Sequence, residues 1–94
     1  MALQESASAR VVPVSRLAVY LRNVLGNDKW LRNVGVRGEI SNLSTHKSGN
    51  VYFDLKDADA LLNCVVWSER AAELPRLENG QAVIAYGEIT AYTR

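Results

Sequence analysis

The chain has 94 residues and a mass of 10.4 kDa, enough for one small domain around a single sheet and too little for a two-domain enzyme. Apolar types make up 48% and charged types 22%, and 11 Lys and Arg against 10 Asp and Glu leave +1, which excludes a disordered polyelectrolyte. The longest apolar runs, Leu17 to Leu21 and Ala82 to Tyr86, are five residues each against the roughly 20 that a spanning helix needs, so no membrane helix is expected.

Met1 to Arg10 carry no apolar stretch behind a basic start, so no secretory signal and a cytoplasmic address are expected. A lone Cys64 and a lone His46 supply neither a disulfide nor a tetrahedral zinc site, and no metal or cofactor is expected. Charge is uneven along the chain: residues 1–56 hold eight basic and four acidic side chains, +4, while residues 57–94 hold three and six, −3. The basic half allows a polyanion-binding face, although a protein that coats DNA by charge alone would carry far more.

Residues 1–13 read as a partly flexible leader ending at Pro13, ahead of a folded region over 14–94. Val14, Leu17, Ala18, Leu21, Val24 and Leu25 recur as one face of a helix, with Ser15 as N-cap and Gly26 as stop. That apolar stripe calls for a sheet to cover it. From Leu31 the pattern alternates: Val34, Val36 and Ile40 face one way and Arg37, Glu39 and Ser41 the other, with Gly35 and Gly38 as bends. A loop is expected over Asn42 to Asn50, rich in turn formers. The second strand places Val51, Phe53 and Leu55 inward, and Tyr52, Asp54 and Lys56 outward.

Asp57-Ala58-Asp59 turns into a third strand, Leu61 to Trp67, apolar on both faces except at Asn63. Ser68 to Leu77 suits a short helix capped by Ser68 and limited by Pro75 to about two turns. After a turn at Glu78-Asn79-Gly80, the last strand, Gln81 to Thr93, places Val83, Ala85, Gly87, Ile89 and Ala91 inward, against Tyr86, Glu88, Thr90 and Tyr92.

Helix, three strands, short helix and a further strand is the order of an oligonucleotide-binding (OB) barrel without its last strand. The expected class is mainly β, a five-stranded Greek-key OB barrel truncated after strand 4 and preceded by a helix. The sheet order would be 3-2-1-4, with open edges that invite a second copy or a borrowed segment such as Val11 to Val14, so the fragment is expected to form homo-oligomers.

Two runs are more specific: Val36-Arg37-Gly38-Glu39-Ile40-Ser41-Asn42, and Ser48-Gly49-Asn50-Val51-Tyr52-Phe53-Asp54-Leu55-Lys56-Asp57 followed by Cys64-Val65. With Val14-Ser15-x-Leu17, Gly80-Gln81-x-Val83 and Tyr86-Gly87, they closely resemble the N-terminal domain of the bacterial exodeoxyribonuclease VII large subunit over about residues 12–93. The resemblance implies a DNA-binding barrel on an enzyme that, with small subunits, degrades single-stranded DNA from its ends to acid-soluble oligonucleotides. It also implies a catalytic region downstream and a further strand after Arg94, so the chain is read as a non-catalytic fragment. That family usually has His at the position of Asn50 and commonly Met-Phe at Val66-Trp67.

Single strands are held by cations along the backbone and flat side chains under the bases. The candidates are Arg37, Tyr52, Lys56, Trp67 and Tyr86 on the strands and His46, Lys47 and Ser48 at the loop rim, with Asn63 and Tyr92 also outward. Tyr52 is expected to stack a base, and Arg37 and Lys56 to meet phosphates; the bland alternative for each is a solvated strand face, and for Trp67 burial beneath a helix.

Asp57-x-Asp59 has the spacing of a metal pair, but short acidic side chains in a turn more often bond their own backbone. Glu39 lacks a partner base and reads as a strand-face carboxylate paired with Arg37 or Lys56; Cys64 reads as a small buried apolar residue. Two other readings compete. One is the anticodon-binding barrel of an aminoacyl-tRNA synthetase, against which the Glu-Ile-Ser-Asn run argues. The other is an assembly module that docks the rest of its subunit without binding nucleic acid.

Overall fold

The computed structural model describes residues 8–92, and the chain forms two compact units, Met1–Asn33 with Glu88–Arg94, and Val34–Gly87. The second unit is a sheet of four antiparallel strands, β1 (Val34–Thr45), β2 (Val51–Lys56), β3 (Leu61–Val66) and β4 (Ala82–Gly87), in the order β3-β2-β1-β4. This is the order expected of the first four OB strands. The long β1 is shared, Val34 to Glu39 pairing with β4 and Glu39 to Thr45 with β2.

Alternation sends Ile40, Phe53 and Leu55 inward, where they form the buried core, with Val36, Leu43, Val51, Cys64, Val66, Leu77, Val83 and Ala85 packed against it. Each fully buried side chain contributes about 1.5–3 kcal/mol, so a core this small tolerates little distortion. Gly38 belongs to that inner face. A Cβ there would lie 2.8 Å from Leu55 Cγ and 2.9 Å from the Lys56 carbonyl oxygen, so β1 passes β2 this closely only without a side chain.

The loop expected over Asn42 to Asn50 shrinks to a turn over His46 to Asn50, because β1 runs on to Thr45. Between Ser41 and Ser44 the register shifts, and Asn42 takes a left-handed φ of 51°. That bulge absorbs one residue and returns Leu43 to the core. The turn itself closes with the His46 N–H donating to the Asn50 carbonyl and the Gly49 N–H to the His46 carbonyl, both at 2.9 Å, with Gly49 at φ +91°.

β4 spans Ala82–Gly87, shorter than the expected Gln81 to Thr93, because its partner β1 begins at Val34, the residue opposite Gly87. The short helix, α2 (Ser68–Ala71), is one turn with Trp67 rather than Ser68 at the N-cap position. β3 pairs only with β2 among the described residues, and Leu61 and Leu62 stay exposed, so its expected two-sided cover does not form.

In the first unit α1 spans Val14–Gly26, ending at Gly26 as expected, but its N-cap position is Pro13 instead of Ser15. The Pro13 carbonyl accepts from the Leu17 N–H at 3.2 Å, and no side chain caps the helix. No residue of α1 is buried; Leu17, Leu21 and Val24 of the stripe are 40%, 42% and 49% exposed. Asp28 then caps a 3-10 turn over Lys29–Arg32 by accepting from the Trp30 N–H at 2.9 Å, and the Ile89 N–H donates to the Leu31 carbonyl at 2.8 Å. The expected looseness of residues 1–7 and the expected strand end at Thr93 lie outside the described residues.

Candidate nucleic-acid interface

The face of the sheet opposite the core carries the candidates. At its hairpin end the β1–β2 turn brings His46 over Tyr52, ring centroids 4.4 Å apart and planes tilted by 51°. Tyr52 is half-buried and lies opposite Ser44 on β1 and Val65 on β3. Asn50 anchors this end: its Nδ2 donates to the Tyr52 hydroxyl at 3.5 Å, and its Oδ1 accepts from the Ser68 N–H at 2.8 Å. An aromatic pair held this way is a preorganised surface for a base. Lys47 and Ser48 sit exposed in the adjoining turn, where the Ser48 hydroxyl accepts a long 3.4 Å bond from the Asn50 N–H.

Further along, Arg37 and Lys56 line one shallow groove with Asp57 and Leu61. Both cations are exposed, and among the described residues neither side chain takes part in a hydrogen bond or an ion pair. Glu39 lies directly opposite Lys56 in register but forms no salt bridge with it or with Arg37. Two unpaired cations a strand apart suit adjacent phosphates.

At the far end Tyr86, 75% exposed, lies opposite Gly35, where an added Cβ would come within 2.7 Å of its Cε1 and 3.3 Å of Ile84 Cγ2. The ring therefore rests on bare backbone, a second flat platform. Trp67 is 47% exposed and leads into α2, so it is not enclosed beneath a helix; Tyr92 is 71% exposed and belongs to the first unit. The structure thus joins His46 with Tyr52 and Arg37 with Lys56, while Tyr86 stands apart at the β4 side.

The acidic turn bonds itself: Asp57 Oδ1 accepts from the Asp59 and Ala60 N–H groups at 2.8 and 2.9 Å. Cys64 is half-buried against the core, and burial first, then the Asp54 charge, push its thiol pKa up. Sequence reasoning missed Asn42, Asp54 and Asn63 as a set. Asp54 Oδ2 accepts from Asn42 Nδ2 at 2.8 Å and Asp54 Oδ1 from Asn63 Nδ2 at 2.7 Å, one polar ladder across three strands. The turn-forming chemistry of Asn42 was the available signal, and it pointed to a loop.

An open four-stranded antiparallel sheet in OB order, with aromatic and cationic groups on its outer face, is the frame of an OB-fold domain. A profile of the OB-fold nucleic acid binding domain matches residues 12–94, and the chain belongs to that family. Its sequence is 43% identical over 86 residues to the exodeoxyribonuclease 7 large subunit of Clostridium botulinum (strain Loch Maree), covering 90% of this chain and 21% of the relative. It is 42% identical over 85 residues to the protein of the same name from Clostridioides difficile (strain 630), again 90% of this chain and 21% of the relative. The chain therefore spans about a fifth of the length of these curated relatives.

Proposed function

We propose that this chain is the single-stranded DNA-binding domain of an exodeoxyribonuclease VII large subunit, a cytoplasmic enzyme that works with small subunits and degrades single-stranded DNA to acid-soluble oligonucleotides. The observation that carries the reading is the outer face of β1 and β2, where the His46–Tyr52 pair at the hairpin end and the Arg37–Lys56 groove lie on either side of the Asp54 row. Tyr52 stacks a base, Tyr86 offers a second platform, and Arg37, Lys47 and Lys56 meet phosphates. No hydrolytic step is assigned to this domain; cleavage belongs to the rest of the subunit.

Three phosphate contacts give a salt slope of about −2, at roughly −0.7 per contact for single strands. Tyr52→Ala with Lys56→Ala in the complete subunit should weaken oligonucleotide binding at least tenfold and flatten that slope by about one contact. Unchanged affinity and slope would remove the assignment. Competition by tRNA equal to that by single-stranded DNA would favour the anticodon-binding reading instead.

Among the described residues β3 and β4 each pair with one neighbour, and exposed Leu61 and Leu62 lie on β3. These edges support self-association of the 94-residue chain through strand pairing. Light scattering should show oligomers, and a stable monomer at high concentration would count against the edges as partners. The same edges suit an assembly role, recognisable by negligible oligonucleotide affinity at low salt with retained binding to the rest of the subunit.

A further inference from the structure

Asp54 sits on the outer face between the Tyr52 row and the Lys56 row, and its carboxylate has no cation bonded to it among the described residues. Its two oxygens each take one N–H from a carboxamide, Asn42 on β1 and Asn63 on β3. A ladder that only pinned the strands could be neutral, since amide and hydroxyl pairs across strands fix register equally well. A carboxylate on a face that receives phosphates repels them, so the charge calls for a separate reason.

The placement of Asn42 points the same way. Its left-handed φ of 51° is a conformation that costs most residues energy, and the bulge is held by the Leu43 N–H donating to Asn79 Oδ1 at 3.0 Å. After its bond to Asp54, each carboxamide retains a second N–H and a carbonyl oxygen, and the carboxylate retains unused lone pairs. These are the groups that address the edge of an unpaired base beside one stacked on Tyr52.

We propose that Asn42, Asp54 and Asn63 form a base-reading ladder that favours bases with an exocyclic amino group, cytosine foremost, over thymine. The inference rests on the single-strand reading and adds a preference to it. Cytosine N4 donates to a carboxylate, whereas thymine presents its O4 acceptor at the same place and is repelled. Sequence preferences of single-strand binders ordinarily come from stacking strength and backbone flexibility. An unneutralised carboxylate adds a donor-against-acceptor criterion that separates the two pyrimidines.

The test is fluorescence anisotropy of the complete subunit with oligo-dC and oligo-dT of about 15 nucleotides, within the span of one OB site. Wild type should prefer oligo-dC about fivefold, Asp54→Asn should abolish the preference by tightening oligo-dT, and Asn63→Ala should reduce it. Equal binding of the two by wild type overturns the ladder and leaves the single-strand reading standing. A preference that survives Asp54→Asn also overturns it. Binding of neither oligonucleotide overturns both readings. Should Asp54→Asn fail to fold, a preference undiminished in Asn63→Ala overturns the ladder by itself.

Discussion

Gly35 and Gly38 lie on one strand and open toward opposite faces, and what fills the space beside each separates the two surfaces of the sheet. Beside Gly38 stand Leu55 and the Lys56 carbonyl, part of the core and of the neighbouring backbone. Beside Gly35 stands the ring of Tyr86, a side chain that is 75% exposed and able to swing away. The inner space is rigid, so it decides whether the chain folds. The outer space is adaptable, so it can change at little cost to the fold.

Gly38→Ala should break the inner side of this contrast most severely. The added methyl has nowhere to go, and a loss of about 1–3 kcal/mol is expected, read as a lower denaturation midpoint with an unchanged denaturant slope. A midpoint equal to wild type would mean that β1 does not need bare backbone against Leu55.

Gly35→Ala sharpens the outer side. Its methyl displaces the tyrosine ring, so stability should change by less than about 1 kcal/mol while oligonucleotide affinity falls severalfold, within the worth of one stacked base. Unaltered affinity would remove Tyr86 from the interface. Loss of folding would show the outer face to be as unforgiving as the inner.

The smallest effect concerns Cys64, where the two faces meet electrically. Burial and the Asp54 charge raise the thiol pKa above its ordinary 9.0, so the folded state binds the proton more tightly than the unfolded chain. The stability from this source is complete below about pH 9 and is lost as pH rises through the folded-state value. Wild type should therefore lose slightly more stability than Cys64→Ala above about pH 9, measured by denaturation across that range. Parallel pH profiles would show that neither burial nor the Asp54 charge moves the Cys64 thiol.

The strands were legible because alternation runs through β2, β4 and most of β1, and their order followed from the OB topology that the succession of elements matches, with Gly38 where a coil is needed. Asn42-Leu43-Ser44-Thr45 misled because its residues are turn formers, while the core position of Leu43 and a one-residue bulge keep them in the strand. The alternation beyond Gly87 misled in the opposite sense, since a strand needs a neighbour and β1 begins at Val34. Within the site, Tyr52, Arg37 and Lys56 could be picked by alternation alone. The bond from Ser68 to Asn50 could not, because it joins residues 18 apart that meet only after the sheet has formed.

The charge arithmetic also shifts once the units are known. Residues 34–87 hold five basic and seven acidic side chains, −2, whereas residues 1–33 hold five and two, +3. Most of the basic excess of the first half thus lies outside the sheet, so the proposed single-strand binding rests on stacking and locally placed cations rather than on a net field.

That distribution makes amide chemical-shift mapping with a single-stranded oligonucleotide the most direct measurement. The largest shifts should fall at His46 to Lys56 and Asn63 to Val65, with a second group around Arg37 and Tyr86. Shifts confined to residues 14–32, following the positive charge instead of the sheet's outer face, would contradict it.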